Sequence, residues 1–227
     1  MISRPHHVSL PASRRPTATE GESSPTASPE RLVFFSDAVI AIAMTLLALE
    51  LPLPHGEDDA ALWRSFFHLL PEQYLTFTLS FVVTAAYWTA HHGLFRRVAR
   101  LAPGIVALNM LFLFTVVLLP FATRLVGEEG RSQVGTVCYA GVVAGVGVSL
   151  LLLLRQVTRC GVFHLDVPPS MPRDLAWRTV VVVGAFAASI PIAFVSTFAA
   201  KQLWLGLSVL GASVLWVSSR RRRACAS

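Results

Sequence analysis

Three polar side chains stand inside otherwise apolar stretches: Asp37, His91 and Asn109. An acid, a base and an amide at such places can do one of two things. They can satisfy one another's hydrogen bonds, or the acid and the imidazole can hand protons along, since both titrate. An ionised side chain in hydrocarbon costs at least ~2.5–3.5 kcal/mol, so these groups pair with one another. Their spacing from nearby end markers puts them at similar depth. Asp37 lies six residues past Arg31, about 9 Å at ~1.5 Å per residue. His91 lies five residues before Arg96, and Asn109 six residues after Pro103. The residues point to one structural network of Asp37, His91 and Asn109, with Ser36 and Trp88 nearby and His92 directed elsewhere, to the interface. A proton relay through Asp37 and His91 is the alternative.

The helix that carries Asp37 has a second face. Residues 31–54 read RLVFFSDAVIAIAMTLLALELPLP, long enough to cross a bilayer. At ~100° per residue, Ile42, Thr45 and Leu49 fall within ~60° of one another, and Asp37 lies ~140° from Ile42. Asp37 therefore faces packing partners while the Ile42 stripe faces something else. Periodicity alone makes that stripe helix or lipid contact, because nearly every position here is apolar.

The elements that must position these groups are membrane helices. The hydrophobic fraction is 54%, only 14% of residues are charged, and the mean hydropathy is +0.59. A soluble domain carries about 25% charged residues. The chain reads as an all-α integral membrane protein with six transmembrane helices and no room for a catalytic domain. The spans fall at residues 32–53, 72–95, 103–124, 134–154, 177–197 and 203–217, with an amphipathic interfacial segment at 60–70. Gly141 and Gly145 form a GxxxG pair that suits close helix packing. Pro191 kinks the fifth span, and a tight connection around Lys201 leads into the sixth. Residues 1–30, rich in Pro, Ser and Thr, read as a disordered cytoplasmic tail, residues 31–219 as the six-helix membrane domain, and residues 220–227 as a basic cytoplasmic tail.

Arginine placement orients the spans. With both termini inside, Arg4, Arg14, Arg15, Arg31, Arg96, Arg97, Arg100, Arg155, Arg159, Arg173, Arg178 and Arg220 to Arg223 fall on the cytoplasmic side. Only Arg64, Arg124, Arg131 and Lys201 fall outside, a strong positive-inside bias. A multi-pass protein of the plasma membrane is predicted. The run Arg220 to Arg223 sets orientation and meets anionic lipid; no nucleic-acid partner is implied.

Several motifs in order resemble one family. Arg31-x3-Phe35-Ser36-Asp37 ahead of an apolar helix, Trp88-x2-His91-x2-Leu94-Phe95, and Asn109 with Pro120 eleven residues later are similar to the transmembrane protein 175 family of potassium channels. The likeness covers residues 31–125. It implies a single six-helix repeat and hence a homotetramer, with a central pore lined by the first helix. It assigns Arg31, Phe35, Ser36, Asp37, Trp88, His91 and Asn109 to the structural network. It places the apolar constriction at Ile42 and continues the pore-facing line through Thr45 and Leu49, with Glu50 concentrating cations near the outer mouth. The implied function is passive potassium conduction with no cofactor; a proton channel or proton-coupled transporter using Asp37 and His91 is the other reading.

Other signals are weaker. Thr136 to Gly141 reads TVCYAG, but a carbonyl filter needs glycine where Cys138 stands and a re-entrant loop. No span carries regularly spaced arginines, so no voltage sensor is predicted. No nucleophile–base pair or metal cluster points to an enzyme, and Cys138, Cys160 and Cys225 suggest no disulfide framework.

Overall fold

A computed structural model describes residues 28–51, 53–69, 73–128, 132–204 and 206. Its elements, in chain order, are α1 (Pro29–Leu49), α2 (Asp59–Leu69), α3 (Leu75–Phe95), α4 (Ile105–Val117), α5 (Leu119–Glu128), α6 (Gln133–Arg159) and α7 (Ser170–Val195). The tails predicted at 1–30 and 220–227 lie outside the described residues, apart from 28–30, which open α1. The sixth predicted span, 203–217, also lies almost wholly outside them.

Local chemistry sets the ends of α1. Ser28 caps it by accepting from the Arg31 N–H, and Pro29 takes the first helical position, where no amide donor is needed. The helix stops at Glu50, short of Pro52. Four stretches among the described residues are long and apolar enough to cross a membrane: Pro29–Leu49, Ile105–Gly127, Gln133–Arg159 and Ser170–Val195. The helix α3 has the length of α1 but is not one of these four stretches, because Ser80, Thr84, Trp88, His91 and His92 interrupt it. Of these, Ser80, Trp88, His91 and His92 bond to neighbouring helices.

The third predicted span is α4 and α5 run together. Pro120 cannot donate a backbone bond, so the ladder breaks at Leu118. The helix α6 is longer than predicted and ends at Arg159, and α7 opens at Ser170 inside a proline-rich stretch expected to be loop. Pro172 falls in the first turn of α7, where a missing N–H costs nothing. Pro191 lies inside α7, which continues past it to Val195.

The turn after α7 is at Ser196 rather than around Lys201. Ser196 is extended, its hydroxyl accepts from the Ala199 N–H, and residues 197–204 are helical through Lys201. A serine cap restarts the helix immediately, which leaves no room for a longer connection. Trp204 then folds back, donating its indole N–H to Ser189 Oγ at 2.8 Å between Tyr139 and Phe186.

The helix α6 is the centre of the bundle. It packs on α4, α5 and α7, and touches α3. Leu150, Leu153, Val143 and Val146 are sealed in its contacts. Close approaches occur at Gly135, where a β-carbon would collide with the Leu125 carbonyl of α5, and at Gly147, where it would collide with Val183 and the Tyr87 hydroxyl, and not at the GxxxG pair: a β-carbon at Gly141 meets nothing and one at Gly145 meets only Thr115 at 3.9 Å. The helix α1 packs on α3, α4 and α5 from one side. At the end of the bundle where α3 and α6 finish, the two following connections pair. Val98 and Phe163 form an antiparallel bridge, with Ala99 N–H to Val162 O at 2.8 Å and His164 N–H to Arg97 O at 2.9 Å.

Candidate functional site: the two faces of the first helix

The inward face of α1 is Leu32, Ser36, Ile40, Ala43 and Leu47, all buried. Ser36 begins a directional chain of hydrogen bonds. Its hydroxyl donates to Leu32 O at 2.8 Å, so its oxygen is left to accept from Asn109 Nδ2 at 2.9 Å. Asn109 Oδ1 then accepts from His91 Nε2 at 2.7 Å. This order fixes the tautomer: the imidazole carries its proton on Nε2, and Nδ1 is bare. His91 Nδ1 is buried with no hydrogen-bond partner among the described residues. The ring lies parallel to Phe112, with centroids 4.7 Å apart, and beside Phe95 at the same separation. Ser36, His91 and Asn109 are all fully buried.

Asp37 belongs to a second cluster. Trp88 Nε1 donates to Asp37 Oδ1 at 2.9 Å, and His92 Nδ1 lies 3.1 Å from Oδ2. The Trp88 and His92 rings lie side by side, with centroids 5.5 Å apart. This pair is only partly buried: 28% of the Asp37 side chain and 33% of the His92 side chain are exposed. The single network expected from depth is therefore two networks, and His92, expected at the interface, is Asp37's partner. Helix geometry explains the split. Neighbours in a helix diverge by ~100°, so Ser36 and Asp37 point to different partners, as do His91 and His92. Among the described residues no hydrogen bond joins Asp37 to His91. The direct handover that a proton relay through these two requires is absent from this arrangement.

The outward face holds the remaining motif residues. Arg31, Phe35, Ala38, Ile42, Thr45 and Leu49 are all exposed and share one stripe. Motif membership groups Arg31 and Phe35 with the polar network; they stand instead on the exposed stripe, ~100–140° around the helix from Ser36. Ile42 is 59% exposed and Leu49 77%. Thr45 donates its hydroxyl hydrogen to Ile42 O at 2.8 Å. Its hydrogen is thus committed to the backbone, and the oxygen remains an acceptor. Glu50 does not end the stripe as a lone charge: its Oε2 lies 3.7 Å from Arg124 Nε on α5. Sequence reasoning misses that pair because Arg124 reads there only as an orientation signal.

The sequence profile described as "Endosomal/lysosomal potassium channel TMEM175" matches residues 31–120, from the first residue of the stripe to the proline that breaks α4 from α5. The "Potassium channel B446_29190" of Streptomyces collinus is 32% identical over 173 residues, which are 73% of this chain and 82% of that one. The chain belongs to the TMEM175 family. A second relative, the "Potassium channel HX13_20290" of a Chryseobacterium, is 32% identical over 57% of this chain and 65% of its own length. Among solved structures, the crystal structure of a lysosomal potassium-selective channel TMEM175 homolog from Chamaesiphon minutus superposes with a TM-score of 0.70 at 26% identity, covering 81% of this chain and 96% of that one. The TMEM175 fold thus extends past the matched motifs into α6 and α7, where the sequence alone offers only hydropathy.

Proposed function

We propose that this chain is a potassium-permeable channel of the plasma membrane that assembles as a homotetramer of six-helix subunits around four copies of α1, with both termini in the cytoplasm. The observation that carries this reading is the two-faced character of α1. One face is locked to α3 and α4 by buried polar bonds, and the opposite face presents an unbroken exposed stripe. The names of the bacterial relatives support potassium as the ion.

In this assembly Ile42 forms the constriction. An apolar ring gates by width and by dewetting and offers no ligands to replace a hydration shell. A larger, more weakly hydrated cation sheds water there at lower cost than a smaller one, so discrimination is moderate and favours potassium. Thr45, one turn further on, supplies a ring of hydroxyl oxygens whose hydrogens are already committed to the backbone. Asp37, His92 and Trp88 hold the rotation of α1 and with it the placement of Ile42. The protein needs no cofactor and catalyses no reaction in this role.

Planar-bilayer recording of the purified protein under a potassium/sodium gradient, with and without a pH gradient, tests the reading. Unitary steps with a reversal potential set by potassium are expected. A reversal potential that follows protons alone, or saturable flux without steps, would overturn it.

A further inference from the structure

Past the ends of α3 and α6, the bridged connections enclose a cleft of about 490 Å³ lined by Arg96, Arg97, His164, Asp166, Val167 and Pro168. The cleft is built. Its two walls are held together by the Val98–Phe163 bridge and by the His164 N–H bonded to Arg97 O, with Val98 and Val162 buried beneath. Gly161, at φ +58°, allows the chain to turn directly from α6 into the second wall.

Its charge is unbalanced. Arg97 spends one amino group on Gly93 O, which caps the end of α3 and leaves its other donors facing out. The Arg96 guanidinium makes no hydrogen bond or ion pair among the described residues. Asp166 opposes them from the second wall without forming an ion pair with either. Two guanidiniums and an imidazole against one carboxylate leave a net attraction for anions. The planar donors of arginine match a phosphate group in particular. The location narrows the source. Arg96 is the first residue past α3, so the cleft opens at the depth where lipid headgroups lie, and basic pockets between membrane helices hold such headgroups.

We propose that this cleft binds the phosphate of an anionic phospholipid, with Arg96 and Arg97 as its ligands and His164 at the rim. The site rests on the membrane placement of α3 and α6 and not on which ion is conducted, so a failed conductance test leaves it standing.

Native mass spectrometry of the detergent-purified full-length protein tests it, with phosphatidylglycerol or phosphatidylcholine titrated in. The wild type is expected to retain phosphatidylglycerol preferentially. Arg96 is exposed, and Arg96→Gln breaks no bond of the fold; it should weaken retention about fivefold. Arg97→Gln should do the same, and Arg64→Gln on α2, far from the cleft, should not. Asp166→Asn, which removes the opposing charge, should hold the lipid as well or better. Equal retention by wild type and Arg96→Gln overturns the site. So does loss in Arg64→Gln or Asp166→Asn, which would report general charge or general damage. Equal retention of the two lipids, with displacement of both by millimolar inorganic phosphate, assigns the cleft to a soluble phosphate and overturns the lipid.

Discussion

The inward and outward faces of α1 come from the same run of apolar residues and behave differently. On the inward face, Ser36 is sealed, and each of its bonds has a direction set by the next partner. On the outward face, Ile42, Thr45 and Leu49 are exposed and touch little of the rest of the chain. The first face is specified by hydrogen bonds, which tolerate no rotation of the helix. The second is specified only because the first is. A change inward should therefore cost stability first and conduction as a consequence. A change outward should alter conduction and leave stability alone.

The largest effect is expected at Asn109. Replacing it with Leu strands the buried His91 Nε2–H and removes the donor to Ser36, at a cost of about 2–4 kcal/mol. A clear fall in the thermal midpoint of the purified protein is expected; an unchanged midpoint would mean the buried chain does not hold α1. On the outward face, Ile42→Asn should lower the potassium-over-sodium permeability ratio about tenfold by wetting the constriction. Its thermal midpoint should stay within the scatter of the wild type. Unchanged reversal potentials would remove Ile42 from the ion path. Trp88→Phe keeps an aromatic ring of smaller size and deletes one hydrogen bond to Asp37, about 1.5 kcal/mol. It should give a modest loss of stability with selectivity intact, and a large selectivity change would show that the Asp37 cluster does more than position the helix. The smallest effect belongs to Glu50→Gln. Because Arg124 already opposes that charge, conductance at low salt should fall by less than about twofold. A steeper fall would restore Glu50 as a free charge at the mouth.

Much of this division is legible in the sequence. The ~140° between Asp37 and Ile42 separates the two faces by residue spacing alone. Depth brings Asn109 and His91 together correctly, because distance along a helix is fixed by its rise. Azimuth is not legible between helices. Whether Asp37 meets His91 or His92 depends on how α3 is rotated, and in α3 both neighbours sit in a helix with polar residues on more than one side. The same blindness explains Arg31 and Phe35, which motif membership groups with Ser36 although they lie on the other face. The glycines of α6 are ranked in the sequence by a pattern, while Gly147 is decided by the bulk of Val183 and Tyr87, which come from other helices. The bridge between the two connections leaves no trace in hydropathy, because it rests on a few backbone bonds.

The stripe that carries Ile42 also begins with Arg31. Four copies of α1 arranged with this stripe inward would ring one entrance with guanidinium groups, while at the other end each Glu50 is offset by an Arg124. The two approaches to the constriction then differ in electrical potential, and a cation meets a barrier from one side that it does not meet from the other. Such a conduit acts as a mild rectifier: in symmetrical potassium its current–voltage curve would bend, and Arg31→Gln would straighten it.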